Sequence, residues 1–480
     1  MAKKYRALAE HYAKAIASGS LGKGERLPSL RDIAVLHRVS ISTAVEACRL
    51  LERQGYVEAK SRAGYFVIDA MPLVKRAGAA AVSDFDNANE RIDPADYVGV
   101  HERISVTLAR GTRRPMKVDL AGAVCAPELY PGAALRDNML RLLRARPRVY
   151  GTHPQREGVT KLREAIARCS VSRGMHADPE TILVTHGCSE ALSLALMAVT
   201  SPGDVVAIES PTYFGILQII ESLGLKAIEI PTRPDTGISL DALEFAINHM
   251  GRIQAVVCMP SVQNPLGCSM PETAKTRMIE LCEKHNIALI EDDTYGFFLP
   301  NPAYSRPLKA WDKKGNVIYC NSLNKSLSPG LRVGWLIGGK WHKKIEMLMY
   351  AVSRHREEML QLVVADFMAG SAFSRHMKRM NALLKQQRTQ LVEAILGHFP
   401  AGTEVTCPDA GLLLWVRLPD GKNTDILFDK ALAEGIRICP GSIFSNMDKF
   451  NDCLRLSCGM PIKGRVESAI RTLGRLAREL

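Results

Sequence analysis

The chain has 480 residues, a formal net charge of +13 at pH 7, 46% hydrophobic and 24% charged residues. That is an ordinary globular composition, with length for two or three domains and a large core. No run of about 20 uncharged apolar residues is present, which argues against a membrane span, and the charges within the first apolar stretch argue against a signal peptide. Twelve cysteines lie scattered without CxxC pairing; they point to reduced thiols in a cytoplasmic setting, not to a disulfide framework or a metal site.

Residues 1–68 hold twelve Lys and Arg against six Asp and Glu, the most basic stretch of the chain. That balance suits a polyanionic partner. "KYRALAEHYAKAIASG" spaces Leu8, Tyr12 and Ile16 as one face of a helix ending at Gly19. "LGKGERLPS" is a turn, and Ser29 caps a second helix, "SLRDIAVLHRV". A third, "STAVEACRLLERQG", is expected to turn Val45, Cys48 and Leu51 inward and Thr43, Glu46, Arg49 and Arg53 outward. "YVEAKSRAGYFVI" then gives two short strands around a basic turn containing Lys60 and Arg62.

Helix, short turn, helix and basic hairpin is the layout of a winged helix-turn-helix, although a small helical interaction module has the same pattern. The words themselves resemble the GntR-type DNA-binding domain. Its G-x-L-x-x-G-x-R-L-P-S-x-R-x-x-A signature is present from Gly19 to Ala34, followed by V-S-x-x-T from Val39 and L-x-x-x-G-Y from Leu51. The resemblance implies a double-stranded operator as partner. Arg49 is expected to read base edges, Arg31 and Thr43 to fix the helix on the backbone, and Lys60 with Arg62 to add salt-sensitive affinity. Ile41 stands where this family often has a DNA-facing arginine, and His37-Arg38 replaces the more usual Leu-Gly, so the operator sequence is not legible.

Residues 69–112 are Ala-rich and then acidic-polar and read as a linker, with one helix near residues 95–110. From 113 to 480 short apolar runs alternate with amphipathic helices: "TILVTHG", "DVVAIES", "KAIEIPT", "IQAVVCMP", "IALIEDD" and "VIYCNS". This is the rhythm of an α/β domain with a mostly parallel sheet, whose functional groups should collect at the strand ends.

Those ends are well furnished. "THGCSEALSLAL" runs through Gly187 into a helix whose first amides could cradle a phosphate. "SPTYFG" presents Tyr213, "PSVQNPLG" Asn264, "LIEDDTYG" Asp292 and Tyr295, and "NSLNKSLSPGLRVGW" Ser322, Lys325 and Arg332. Each is weak alone, since a strand-end Asp is often a helix cap and an isolated lysine is usually solvated. In this order they resemble the fold type I pyridoxal-phosphate enzymes of the aspartate aminotransferase family, over roughly residues 115–480.

The resemblance implies pyridoxal 5'-phosphate held as a Schiff base by Lys325, with Asp292 facing its pyridine nitrogen. Asn264 and Tyr295 would bond the ring oxygen, and Tyr213 would stack on the ring. Backbone amides near Cys188 and Ser189, the Ser322 hydroxyl and Arg332 would take the phosphate. Cys188 departs from the Gly or Ala frequent there. "VYGTHPQREGVTKLREAIA" implies that Tyr150 reaches the phosphate of a neighbouring subunit, hence a homodimer. "CLRLSCG" puts Arg455 where the family binds a substrate α-carboxylate; a packing role for Tyr150 and an ordinary ion pair for Arg455 are the plain alternatives.

The two halves together resemble the MocR branch of bacterial transcription regulators. That implies a regulator whose large domain senses an amino compound through aldimine exchange at Lys325. An active aminotransferase with an accessory DNA-binding module is the alternative, and the sequence does not decide between them.

Overall fold

The chain divides into two units, Met1–Ile92 and Asp93–Leu480. The computed structural model describes residues 2–17, 21, 24–60, 64–68, 99–112, 116–151, 153–249, 251–299, 306–447 and 449–480.

In the first unit three helices, α1 (Ala2–Ala17), α2 (Leu30–Leu36) and α3 (Ile41–Arg53), precede an antiparallel hairpin of β1 (Val57–Lys60) and β2 (Gly64–Val67). Two serines set the helix starts. Ser29 Oγ accepts from the Asp32 amide and Ser40 Oγ from the Thr43 amide, each at 3.2 Å, satisfying donors that a first turn leaves open. Leu8, Tyr12, Ile33, Cys48, Leu51, Val57 and Val67 form the core. Val45 is only half-buried, contrary to the expected inward set. The helical stripe through Cys48 and Leu51 continues three and four residues back to Ala44 and Ala47, which are fully buried in its place. Arg62, in the expected wing, lies outside the described residues.

The second unit starts with α4 (Val100–Thr112), the helix anticipated near residues 95–110. It belongs to the large unit: Ile104 is completely buried in one apolar cluster with Ile216 and Ile220. Thirteen residues of the stretch read as a linker are therefore packed helix.

All six apolar runs expected as strands form one eight-stranded sheet. Its order is Ile182–Thr185, Gly334–Ile337, Val317–Ser322, Ala288–Asp292, Ile253–Cys258, Val205–Ser210, Lys226–Arg233 and Gly237–Ile238. The middle pairs are parallel, while Gly334–Ile337 runs against both its neighbours and Gly237–Ile238 against Lys226–Arg233. Two-sided burial explains why these strands read as continuous Val/Ile/Leu runs and not as alternation. Thr185, Ser210, Asp292 and Ser322 each close a strand, so the loops that follow leave from one edge of the sheet. A smaller four-stranded sheet, ordered Glu404–Val405, Leu413–Arg417, Cys453–Ser457, Cys439–Pro440, carries Arg455. No described helix is long and apolar enough to cross a membrane.

Leu51 is fully buried between the three helices of the first unit. Leu51→Ala should cost about 2–5 kcal/mol there. In urea denaturation of the whole chain, the transition that abolishes DNA binding should fall to lower denaturant, and the transition of the large unit should stay where it is.

Candidate functional site

One cavity at the carboxyl edge of the large sheet gathers Cys188, Ser189, Tyr213, Asn264, Asp292, Tyr295, Ser322, Lys325, Arg332 and Arg455. They come from six segments of chain. Tyr150 is elsewhere: it sits 76% exposed in a short 3-10 turn, Val149–Gly151, and does not line the cavity of its own chain.

At one end the helix Cys188–Val199 begins directly after Gly187, whose φ of 92° lies in the region that favours glycine. A Cβ there would come 2.8 Å from Asn324 Nδ2 and 3.2 Å from Arg332 Nη2, so the turn must be bare. The amides of Cys188 and Ser189 thus open a twelve-residue helix with the positive end of its dipole toward the cavity. Arg332 Nη2 donates to the His186 carbonyl at 2.9 Å, which aims the guanidinium across the same turn. Asn324 was not anticipated; its buried Oδ1 has no partner among the described residues.

In the middle, Asp292 is 3% exposed. Its Oδ1 accepts from the Thr294 amide at 3.0 Å, the Thr294 hydroxyl at 2.6 Å and the Cys188 thiol at 3.3 Å. Among the described residues nothing hydrogen-bonds Oδ2. Burial pushes the Asp292 carboxyl above its usual range, against the Thr294 bonds. A carboxylate with one oxygen tied down and the other free suits a cationic N–H approaching from the cavity. The Tyr295 hydroxyl is likewise buried, with no partner among the described residues. Burial raises the phenols of Tyr295 and Tyr213.

Arg455, 3% exposed, donates from Nη1 to Asn264 Oδ1 at 3.0 Å and from Nη2 to the Ala121 carbonyl at 2.6 Å. The rings of Phe444 and Phe214 lie 5.1 and 5.9 Å from its Cζ. Its Nε is buried without a partner. No carboxylate pairs with it among the described residues, so the plain ion-pair alternative has no support here. Because Arg455 occupies the Asn264 oxygen, the Asn264 amide turns its NH₂ donors to the cavity.

Lys325 faces both groups. Loss of water, then repulsion from Arg455, lowers its amine to about 8, with Asp292 opposing the shift. No described residue hydrogen-bonds its Nζ.

Sequence reasoning missed Thr294, Asn324 and the opposite wall, which α4 supplies through Thr107, Leu108 and Gly111. "DDTYG" contained a signal for Thr294, because an Asp followed two residues later by Thr is a common side-chain turn. The α4 helix was expected from the sequence, but nothing local marked it as a wall of this cavity.

In the first unit Arg31 and Arg49 are exposed and Thr43 is half-buried. The Thr43 hydroxyl sits 2.8 Å from Ser40 Oγ. Glu46 holds Arg49 at 3.3 Å, and Glu58 holds Lys60 at 3.1 Å, with the Phe66 ring 4.9 Å from the Lys60 amine. Exposed pairs of this kind are worth about 0–1 kcal/mol and yield readily to a phosphate.

The sheet order and this set of strand-end groups define an aminotransferase-type unit joined to a helix-turn-helix unit. Residues 133–472 match the family described as aminotransferase class I and II, and residues 4–67 the bacterial regulatory proteins of the gntR family. Over 479 residues the chain is 33% identical to the HTH-type transcriptional regulator YjiR of Escherichia coli, covering 98% of each chain. The α-aminoadipate aminotransferase LysN of Thermus thermophilus, solved with N-(5'-phosphopyridoxyl)-L-leucine, superposes with a TM-score of 0.71 at 27% identity, over 78% of this chain and 94% of that one. The kynurenine aminotransferase of Pyrococcus horikoshii, solved with PMP, reaches 0.74 at 25% identity, over 83% and 99%. The chain belongs to the MocR-type transcription regulators, a GntR helix-turn-helix fused to a class I and II aminotransferase domain.

Capture of an added aldehyde by Lys325 needs the neutral amine, whose fraction grows as pH rises through about 8. The rate at which the cofactor-free protein takes up pyridoxal, read by absorbance, should therefore climb with a midpoint near 8. For an ordinary lysine the midpoint lies near 10.4.

Proposed function

We propose that the protein is a DNA-binding transcription regulator that carries pyridoxal 5'-phosphate and senses a small amino compound in the cavity of its large unit. The observation that carries this reading is a lysine amine lowered to about 8, with no hydrogen-bond partner among the described residues, in the same cavity as a buried arginine that no described carboxylate pairs. The residues fit the cofactor. Tyr295 and Asn324 bring buried polar atoms that the chain leaves unsatisfied, Gly187 opens a bare helix start, and Asp292 offers one free oxygen.

Lys325 would hold the cofactor covalently, with Asp292 Oδ2 available to its pyridine nitrogen. Asn264 Nδ2 and the Tyr295 hydroxyl would donate to the ring oxygen, and Tyr213 would stack on the ring. The amides of Cys188 and Ser189, the Ser322 hydroxyl and Arg332 would take the phosphate. When bound, pyridoxal phosphate supplies an electrophilic carbon that can exchange one amine for another and a ring that stores electrons.

Arg455 then selects compounds with a carboxylate. An anion on its guanidinium would offset the part of the lowering that comes from Arg455, burial being the larger cause, so the lysine becomes easier to protonate as the amino compound arrives. Lys325 can then hold a proton at Nζ inside the cavity. That same capacity favours a second reading, an active aminotransferase with an accessory DNA-binding module. A turnover assay across amino donors, run beside a DNA-binding assay, separates the two.

In the small unit Arg49 reads bases, Arg31 and Thr43 fix α3 on the backbone, and Lys60 with Arg62 supplies salt-sensitive affinity. The molecule is a cytoplasmic homodimer in which the exposed Tyr150 reaches the phosphate of the neighbouring subunit. Residues 1–68 bind the operator and 113–480, with α4 packed against them, the cofactor; of the stretch 69–112, the part before α4 joins the two.

Lys325→Ala should abolish the covalent absorbance band of the full-length protein. In the unsubstituted protein the coupling must be reciprocal: operator DNA should change amino-compound affinity by the same factor that the compound changes DNA affinity. Paired titrations, each with and without the other ligand, check this. Absence of coupling in both directions would favour the enzyme reading.

A further inference from the structure

Resting on the reading of this cavity as an amino-compound site, the wall opposite the cofactor residues says which compound. Among the described residues of one chain, five formally charged side chains line the cavity: Asp292, Lys325, Arg332, Arg437 and Arg455. On the proposed reading Asp292, Lys325 and Arg332 serve the cofactor and Arg455 a carboxylate, which leaves Arg437 as the one charge among them to read a ligand's side chain.

Arg437 is already committed. Its Nε donates to Asp119 Oδ1 at 3.0 Å, its Nη2 bonds Asp119 Oδ2, and its Nη1 donates to the Gly111 carbonyl at 3.4 Å. Burial alone would push the Asp119 carboxyl up, but the Arg437 bonds hold it below its usual range, so the pair stays ionised and internally neutral. The pair is locked in place, since a Cβ at Gly111 of α4 would come 2.8 Å from Arg437 Cδ. The Thr107 hydroxyl is occupied as well, donating to the Arg103 carbonyl at 2.9 Å.

What remains of that wall is apolar: Leu108 of α4 with Phe428, Ile438, Ile443 and Phe214. Arg103 and Arg110 pin α4 over it. Arg103 Nη2 donates to the Ser445 carbonyl at 2.6 Å, and Arg110 pairs with Asp429 while lying 5.8 Å from the Phe428 ring. A charged side chain pressed against this surface would lose its water and gain no counter-charge. An apolar one would lose nothing and exclude water.

We propose that the compound is an α-amino acid with an uncharged, apolar side chain, its carboxylate on Arg455 and its side chain against Leu108, Phe428, Ile438 and Ile443. Full-length protein loaded with pyridoxal phosphate would be titrated with L-leucine, L-phenylalanine, L-glutamate and L-lysine, following the cofactor absorbance. L-leucine or L-phenylalanine should half-saturate at a concentration about tenfold or more below either charged amino acid. Leu108→Lys, at a position 39% exposed and so tolerant of change, should narrow or invert the preference over L-glutamate. A charged amino acid binding as tightly as the apolar pair would overturn the proposal and leave the sensor reading standing, as would an unaltered preference in Leu108→Lys. No spectral response to any of the four would overturn both.

Discussion

The Arg455 guanidinium lies where almost no water reaches it, and no described carboxylate offsets its charge. A charge so placed must be solvated by the protein. Asn264 and the Ala121 carbonyl do part of this, with the faces of Phe444 and Phe214 alongside. The rest of the site follows from that constraint. The oxygen of Asn264 is drawn to the guanidinium, so its NH₂ points inward. The Lys325 amine, short of water and facing a cation, gives up its proton more easily than a surface lysine does. An anion reaching Arg455 would offset that charge, which is the physical basis for proposing that the site takes a carboxylate.

The scaffold supplies these groups from distant stretches of chain because parallel strands release their loops on one side. Asp292 and Ser322 close neighbouring strands of the large sheet, whereas Arg455 comes from the small sheet. Arg437 and Asp119 are brought together across more than three hundred residues of sequence, and α4 closes over them. α4 is also the first described helix after the stretch that joins the two units. The wall proposed to meet a ligand's side chain is therefore continuous in the chain with that joining segment.

The strand-end residues were legible because each sits in a short word with its own turn chemistry: Gly187 before a helix, Asn264 before Pro265, Asp292 at the close of an apolar run. The helix-turn-helix was legible for the same reason, since Ser29 and Ser40 mark helix starts that the structure uses as caps. Where the reading slipped, as with Val45, a strict three-residue spacing was carried back from Cys48 and drifted off the 3.6-residue stripe, which runs through Ala44. Ala44 and Ala47 are too small to announce a core face on their own.

Sequence by itself determined the two-part organisation, the six principal strands and the chemical types at their ends, because local period, caps and turn residues are properties of neighbouring residues. Tertiary structure alone decided that Arg455 has no acidic partner among the described residues, that Arg437 is cancelled by Asp119, and that α4 is a wall of the cavity and not part of a tether. Those are facts about which charges and surfaces meet across the fold. Burial and pairing depend on distances in space, and residues hundreds of positions apart carry no local mark of them.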